Sequence, residues 1–533
     1  MKKTALFLLA LLLLASCGRR NEGQFTSEPG ISKPLTVVMP PTSEPEAGFD
    51  PAFGWGAGEH VHEPLIQSTL TVTNPDLTIG YDLATGMEAS EDSLTWTVTL
   101  RDDVKFTDGE PLTAEDVAFT YNTVKSTSSV SDFTMLDYAE AVDETTVVFH
   151  MTRPFSIWPY TMAITGIVPE HAYDPATYGS NPIGSGRYVL KQWDRGQQVI
   201  LEYNLDYYGQ QPRMEKVTIL FMEEDAAFLA VQAGQADVAY TSALYADQKP
   251  EVLSLNGQEP VTYSLLAVRT VDNRGINLPA DFASFSAVRT GNGFTGDSRM
   301  VRQAINLGID RQAMIDNVLN GYGTPAYSVC DGMPWYSSVN EVECDRSKAA
   351  ALLDAAGWLP GAGGIREKDG VRAALTIHYT AGDSVRQGLA AELANQLGEL
   401  GIEAGIRGVG WDTAYDDALS NPLVWGWGAH TPMELYNIYH TAPGLSSARY
   451  SPYANQKADE LMDAALACTG LEESYTLWQR AQEEIAADVP WVWLVNVDHL
   501  YWVREDLHVA QQKIHPHGHG WSIVNNIDQW SWK

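Results

Sequence analysis

Val217-Thr-Ile-Leu-Phe-Met-Glu-Glu-Asp-Ala-Ala-Phe-Leu-Ala-Val-Gln-Ala-Gly-Gln-Ala-Asp-Val-Ala-Tyr240 sets the fold class. Val217 to Met222 is rich in β-branched and apolar residues and reads as a strand. Asp225 to Ala233 is built from good helix formers, and Gly234 supplies the residue that closes a helix. Asp237-Val-Ala-Tyr240 is a second strand. Two strands joined through a helix run parallel, because the crossover returns the chain to the edge at which it began. A partly parallel sheet in an α/β protein is the expectation.

The flanking sequence extends this pattern. Leu35-Thr-Val-Val-Met39 is a first strand, stopped by Pro40 and Pro41, and Glu59 to Leu70 reads as helical. Leu94 to Leu100 alternates apolar residues with threonine, which predicts a strand buried on one face. Asp108-Gly109 turns the chain, and Thr113-Ala-Glu-Asp116 is a capping box for a helix that turns Val117, Tyr121 and Val124 inward. Downstream, Val301, Ala304, Ile305 and Gly308 share one helical face, as do Ala349, Leu352, Leu353 and Ala356 before Gly357. Leu389, Leu393, Leu397 and Leu400 form a third stripe. Trp491-Val-Trp-Leu-Val495 is apolar throughout, as in a strand buried on both faces.

With 533 residues the chain exceeds what one core supports, so two or three domains are expected. Hydrophobic residues make up 44% and charged ones 19%, which excludes wholesale disorder. Acidic residues number 68 against 34 basic ones, for a net charge of −34. That surface repels polyanions, and no phosphate-binding glycine loop is present, so nucleic acid is excluded as a partner. There is no Gly-x-Ser-x-Gly elbow, and after His62-Glu63 the position of a second metal-binding histidine is held by Ile66. The chain reads as a non-enzyme, with a secreted hydrolase of dispersed site residues as the remote alternative.

The N-terminus is a targeting segment. Lys2 and Lys3 precede an apolar run from Ala5 to Ala15 that is too short to span a bilayer. Leu14-Ala15-Ser16-Cys17 resembles the lipobox of bacterial lipoproteins, which implies removal of residues 1–16 and lipid on Cys17. Residues 17–34, rich in Gly, Ser and Pro, read as a flexible tether. The expected location is outside the cytoplasm, at the periplasmic or outer face of a cell membrane. In that compartment Cys330 and Cys344 are expected to form a disulfide, worth about 3 kcal/mol in the loop-entropy model. Cys468 reads as a buried free thiol.

Two stretches are candidates for binding. Trp425-Gly-Trp-Gly-Ala-His430 ends a strand with two indoles on one side and glycines that admit a second backbone or a ligand. It runs on through Pro432, Glu434 and Tyr436, where a helix opens. Phe53-Gly-Trp-Gly-Ala-Gly-Glu-His60 repeats its Gly-Trp-Gly-Ala far upstream. The ligand-binding candidates are therefore Trp55, His60, Trp425, Trp427, His430, Glu434 and Tyr436. His515-Pro-His-Gly-His519 is a candidate for metal together with His430, since imidazole suits nickel, copper and zinc. Neighbouring imidazoles of His515, His517 and His519 in an extended chain lie about 6.6 Å apart, so joint chelation needs a bend.

Leu100-Arg-Asp-Asp-Val-Lys-Phe-Thr-Asp-Gly-Glu-Pro-Leu-Thr-Ala-Glu-Asp-Val117 resembles the signature segment of the family-5 extracellular solute-binding proteins, the peptide/nickel-binding components of ABC importers. The similarity continues in Asn181 to Tyr188, Glu202 to Gly209, Ala233 to Asp237 and Val301 to Arg311. The resemblance implies a type II periplasmic-binding-protein-like fold: two α/β lobes around a hinge, with an extra domain inserted in the first. Lobe I would comprise 35–75, 180–275 and 497–533, the insert 76–179, and lobe II 276–496. The two Gly-Trp-Gly-Ala stretches would then face each other across a cleft.

The same resemblance implies a monomer that passes a small solute to an ABC permease and ATPase complex, with no resident cofactor. Peptide binders of the family grip the peptide's α-ammonium with an aspartate where this chain has His430. Neutral imidazole is a weak acceptor, and protonated imidazole repels a cation. Glu434, Asp416 and Asp417 are the nearby carboxylates. Trp427-Gly-Ala429 and Gly364 to Gly370 resemble the nickel-type members, in which a histidine near this strand end helps hold a metal chelate. A peptide or peptide-like solute is the first expectation, and a nickel or other transition-metal chelate the alternative.

Overall fold

The computed structural model describes residues 33–533 except 57–61, 128–132, 251–260, 279–288, 291–292, 295, 418–420, 442–452 and 519. The expected signal peptide, Cys17, most of the tether, His60 and His519 lie outside the described residues.

The strand–helix–strand reading holds: strand Lys216–Phe221, helix Glu224–Gln232 and strand Val238–Thr241. Leu35–Met39 slots between the two strands and runs parallel to both, pairing Val37 with Ile219 and with Val238. Seven strands complete this sheet, in the order Tyr263–Val268, His499–Arg504, Val238–Thr241, Leu35–Met39, Lys216–Phe221, Gln198–Tyr203 and Tyr188–Asp194. Side chains alternate across it. Val37, Val217 and Ile219 pack on one face with Tyr188, Trp521 and Trp530, while Val38 and Ala239 pack on the other with Ala227, Val231 and Trp502.

The insert is a four-stranded antiparallel sheet, ordered Ala84–Ala89, Thr95–Leu100, Thr146–Met151 and Leu136–Asp143. Helix Ala114–Thr127 covers it and buries Val117, Tyr121 and Val124 as expected. The Tyr121 ring meets Phe149 at 4.7 Å and Trp158 at 5.5 Å. Asp116 accepts from both the Thr113 N–H, at 2.9 Å, and its hydroxyl, at 3.2 Å, which starts the helix.

A second sheet runs Gly323–Pro325, Trp491–Val497, Asn273–Asn277 and Val424–Trp425. The parallel pair Ala374–Thr380 and Glu403–Val409 adjoins it through a parallel bridge from His378 to Leu423. Helix Ser384–Glu399 buries Leu389, Leu393 and Leu397 against this part, each burial worth about 1.5–3 kcal/mol. Asn273–Asn277 lies wholly in this second sheet, so the expected border at 275/276 cuts a strand. The segments linking the two large sheets are 268–273 and 497–499.

The structure corrects two expectations here. His62–Leu70 contains no helix. Its backbone bonds go to other segments: Ile66 accepts from Gly186 at 2.8 Å, Leu65 from Tyr188 at 3.0 Å and Ser68 from Ile167 at 2.9 Å. Cys330 and Cys344 are free thiols and form no disulfide. Cys330 is buried in the apolar cluster, whereas Cys344 is exposed with its Sγ against the Gly308 carbonyl at 3.5 Å.

The insert also docks on the second lobe. Fully buried Ser156 donates its N–H to Leu466 O and its hydroxyl to Ala465 O, both at 2.9 Å. These carbonyls end helix Gln456–Leu466; Ala465 O also accepts from the Cys468 N–H at 3.3 Å. Tyr160 packs edge-on against Trp335 at 6.0 Å, and one apolar cluster runs unbroken from the insert into the second lobe. Among the described residues, no helix is long and apolar enough to cross a membrane.

Candidate functional site

Trp425-Gly-Trp-Gly lies directly against the linking segment 271–274. A Cβ on Gly426 would sit 1.8 Å from Asn273 O, and one on Gly428 would sit 2.1 Å from Val271 O. The two glycines therefore admit another backbone. The Asn273 N–H donates to Trp427 O at 2.9 Å, and the Trp427 N–H donates to Asn273 Oδ1 at 3.1 Å. Residues 514–517 of the C-terminal strap lie along the same segment: Val271 donates to His515 O and His515 donates to Arg269 O, both at 2.9 Å. His517 donates to Gly428 O at 2.6 Å, which ties the strap to the tryptophan stretch.

The indoles expected to share one side do so, with Trp425 and Trp427 centred 6.2 Å apart. Trp425 is buried against Trp411 at 5.0 Å. Trp427 is half-buried and packs edge-on to Trp491 at 5.2 Å and Trp493 at 6.2 Å. Trp55 is not brought to this place. It is buried in the first lobe among Phe49 at 4.7 Å, His62 at 4.3 Å and Trp521 at 4.9 Å, so this tryptophan is core packing.

His430 is buried, and its Nε2–H donates to Ile514 O at 2.8 Å. Burial, with Lys513 close by, pushes its pKa down to about 3, so the ring is neutral across the physiological range. Tyr436 is 2% exposed and serves a different contact. Its hydroxyl meets Arg153 Nη1 of the insert and Asp463 Oδ1, each at 3.3 Å, and its ring stacks on His440 at 4.2 Å.

Glu434 stands in the first turn of helix Met433–Tyr439. Its carboxyl is half-buried and accepts from the Gly428 N–H, and burial pushes its pKa up to about 7. It forms no ion pair among the described residues. Close by, Asp331 is likewise pushed by burial to about 7; its Oδ2 accepts from Tyr327 N at 2.8 Å and Asn496 Nδ2 at 3.1 Å. Both carboxyls act on the Cys330 thiol, which burial raises well above its ordinary value.

Of the histidines expected to hold a metal, His430, His515 and His517 are described and His519 is not. Among the described residues no three metal-ligating side chains converge. His515 Nε2 faces Gln512 Oε1 at 3.2 Å and its Nδ1 faces His499 Nδ1 at 3.2 Å, while His517 Nδ1 is spent on Asp272. Asp272 is the hub that sequence reasoning missed. It is paired with Arg274 and His517, and His499 Nε2 lies 3.4 Å from its Oδ2. Burial alone would raise this carboxyl; Arg274 and His517 outweigh it and hold the pKa well below the usual range.

Two lobes joined by paired linking segments, with an inserted domain closing on the second lobe, define a type II periplasmic-binding-protein fold. Residues 78–448 match the model for bacterial extracellular solute-binding proteins, family 5 Middle. The chain belongs to this family, whose members are binding proteins of transport systems and not enzymes. It is 31% identical to Protein XP55 of Streptomyces lividans, over 89% of this chain and 85% of that one. It is 26% identical to the oligopeptide-binding protein AppA of Bacillus subtilis, over 99% of each. Among solved structures, NikZ from Campylobacter jejuni in complex with Ni(L-His) has a TM-score of 0.75 at 22% identity, covering 93% of this chain and 99% of that one. Bacillus subtilis AppA in complex with a nonapeptide has a TM-score of 0.72 at 24% identity, covering 95% and 100%.

Proposed function

We propose that this protein is the solute-capturing lipoprotein of an ABC importer, anchored outside the cytoplasm through Cys17, and that its solute is peptide-like with a cationic group held by Glu434. The observation that carries the ligand reading is the Glu434 carboxyl itself. It is half-buried, pairs with no cation among the described residues, and accepts from the Gly428 N–H. A buried carboxylate without a cation is costly, and an ammonium supplied by the solute removes that cost. The match to a relative named for oligopeptides, over 99% of both chains, supports the same reading. A metal chelate is disfavoured because His430 is buried and bonded to Ile514.

Capture proceeds by closure about segments 268–273 and 497–499, and a membrane permease takes the solute from the closed form. The test is native mass spectrometry of the purified protein and of E434Q. Co-purified masses of a few hundred daltons, lost on mild denaturation and absent from E434Q, are the expected result. A stoichiometric metal adduct that persists in E434Q and disappears in H430A would replace the peptide reading with the chelate one.

A further inference from the structure

The second lobe holds a cavity of about 120 Å³. Strand Trp491–Val497 lines it with Trp491 and Trp493, helix Met433–Tyr439 with Leu435 and Tyr439, and helix Leu471–Asp488 with Gln482 and Ile485. Val339, 59% exposed, opens it to solvent. Among the described residues, neither the stretch 425–430 nor the linking segments 268–273 and 497–499 contribute to the lining, so the space is separate from the hinge and from the tryptophan stretch. No charged side chain among them lines it either, which selects a neutral occupant. An apolar cavity of about 150 Å³ takes benzene, so about five or six heavy atoms fit here.

Two features mark this space as more than a packing fault. Trp491 is 3% exposed, and its Nε1–H has no acceptor among the described residues. Its neighbour shows the ordinary arrangement: Trp493, stacked on Trp491 at 5.2 Å, gives its Nε1–H to the Tyr439 hydroxyl at 3.0 Å. A buried donor left without an acceptor is costly. The other polar groups of the lining are engaged, with Gln482 accepting from Ser328 Oγ at 3.0 Å and Asn306 Oδ1 accepting from Arg311 Nη2. The second feature is backbone. Helix Leu471–Asp488 ends in Val489 at φ 48° and ψ 59°, a left-handed conformation that β-branched residues very rarely take, and Pro490 follows at once. Both residues line the cavity, and their turn sets Trp491 against it. Strain of this kind gathers at ligand sites.

We infer that this cavity is a second binding site, for a small neutral molecule whose apolar body fills the space and whose carbonyl oxygen accepts from Trp491: a ketone, lactone or lactam. Its walls are shared with the candidate solute site. Trp427 packs edge-on to the rings of Trp491 and Trp493, and the helix that supplies Leu435 and Tyr439 carries Glu434 in its first turn. An occupant braces the walls that present Trp427 and Glu434, so occupant and solute strengthen each other's binding.

The probe is cyclopentanone, titrated into solute-stripped protein carrying ¹⁵N-labelled tryptophan. It should shift the Trp491 indole resonance, identified by its absence from W491F, with saturation. W491F keeps an aromatic ring and loses the N–H; followed at the Trp493 indole, its affinity for the probe should fall roughly 2- to 10-fold, the range for one neutral hydrogen bond. A486L fills the space from helix Leu471–Asp488 and should abolish binding; it decides the matter alone if W491F does not fold. No saturable shift in the wild-type protein, or undiminished binding in A486L, overturns the site, and equal affinity in folded W491F overturns the role of the indole. Retention of a tryptic digest of casein should rise roughly 5-fold or more when cyclopentanone saturates the cavity. Unchanged retention, including none in either condition, overturns the coupling. The resonance titration involves no solute, so it judges the cavity separately from the peptide reading.

Discussion

Replacing Glu434 by Gln leaves the shape of the side chain and removes its titration. In the solute-free protein burial moves this carboxyl from its ordinary 4.5 to about 7, so folding favours the protonated form. At 1.36 kcal/mol per unit that is at most about 3.4 kcal/mol, a ceiling because the group is half-buried. The stabilisation is complete below about pH 4.5 and is lost as pH rises through about 7. Urea unfolding of solute-stripped wild-type protein and E434Q at pH 5 and pH 8 reads this directly. Other carboxyls, Asp331 among them, titrate in both proteins and cancel in the difference. Wild type should lose up to about 2.5 kcal/mol more than E434Q over that interval. Solute binding runs the other way: an ammonium needs the carboxylate, so wild-type affinity should fall as pH drops below about 7 and E434Q should not follow it. Identical pH dependence of stability in the two proteins would refute the claim that Glu434 is held without a cation.

G426A should prevent native folding or destabilise it by more than about 3 kcal/mol, because the new methyl would sit 1.8 Å from Asn273 O; thermal melting checks this. S156A should cost about 1–2 kcal/mol and raise hydrogen exchange at the Ser156 and Trp335 amides, since the last carbonyls of Gln456–Leu466 lose a buried donor. In native protein a thiol reagent should modify Cys344 quickly and Cys330 only after unfolding; full protection of both would restore the disulfide. H430Q should leave solute affinity within about threefold if the imidazole serves only to hold Ile514 through one neutral hydrogen bond.

The fold was legible where its causes are local. The segment 217–240 carries its own strand propensity, helix formers and closing glycine, and the Leu389 to Leu400 stripe carries its own period. The helix expected from Glu59 to Leu70 failed because backbone donors at Gly186, Tyr188 and Ile167, remote in sequence, claimed its carbonyls. The site was legible in part. Trp427 and Glu434 stand out through their neighbours in the chain, whereas Trp55 lies in the first-lobe core, because a tryptophan between glycines looks the same in a core as in a cleft. Asp272 and Asp331 gave no signal. Asp272 meets His517 across 245 positions, a pairing that only the folded chain creates.

The unbroken apolar cluster between insert and second lobe bears on the resting shape of the molecule. Tyr160, Trp335 and Tyr475 press together across that seam, and parting the lobes hands their faces to water. Each such ring is worth about 1.5–3 kcal/mol when it goes from covered to wet. Gaping is therefore uphill before any solute arrives, and the empty protein rests nearer shut than a hinge alone would leave it. A visiting solute then needs to supply only the last increment of grip, which leaves most of its own binding free energy to decide how long it stays.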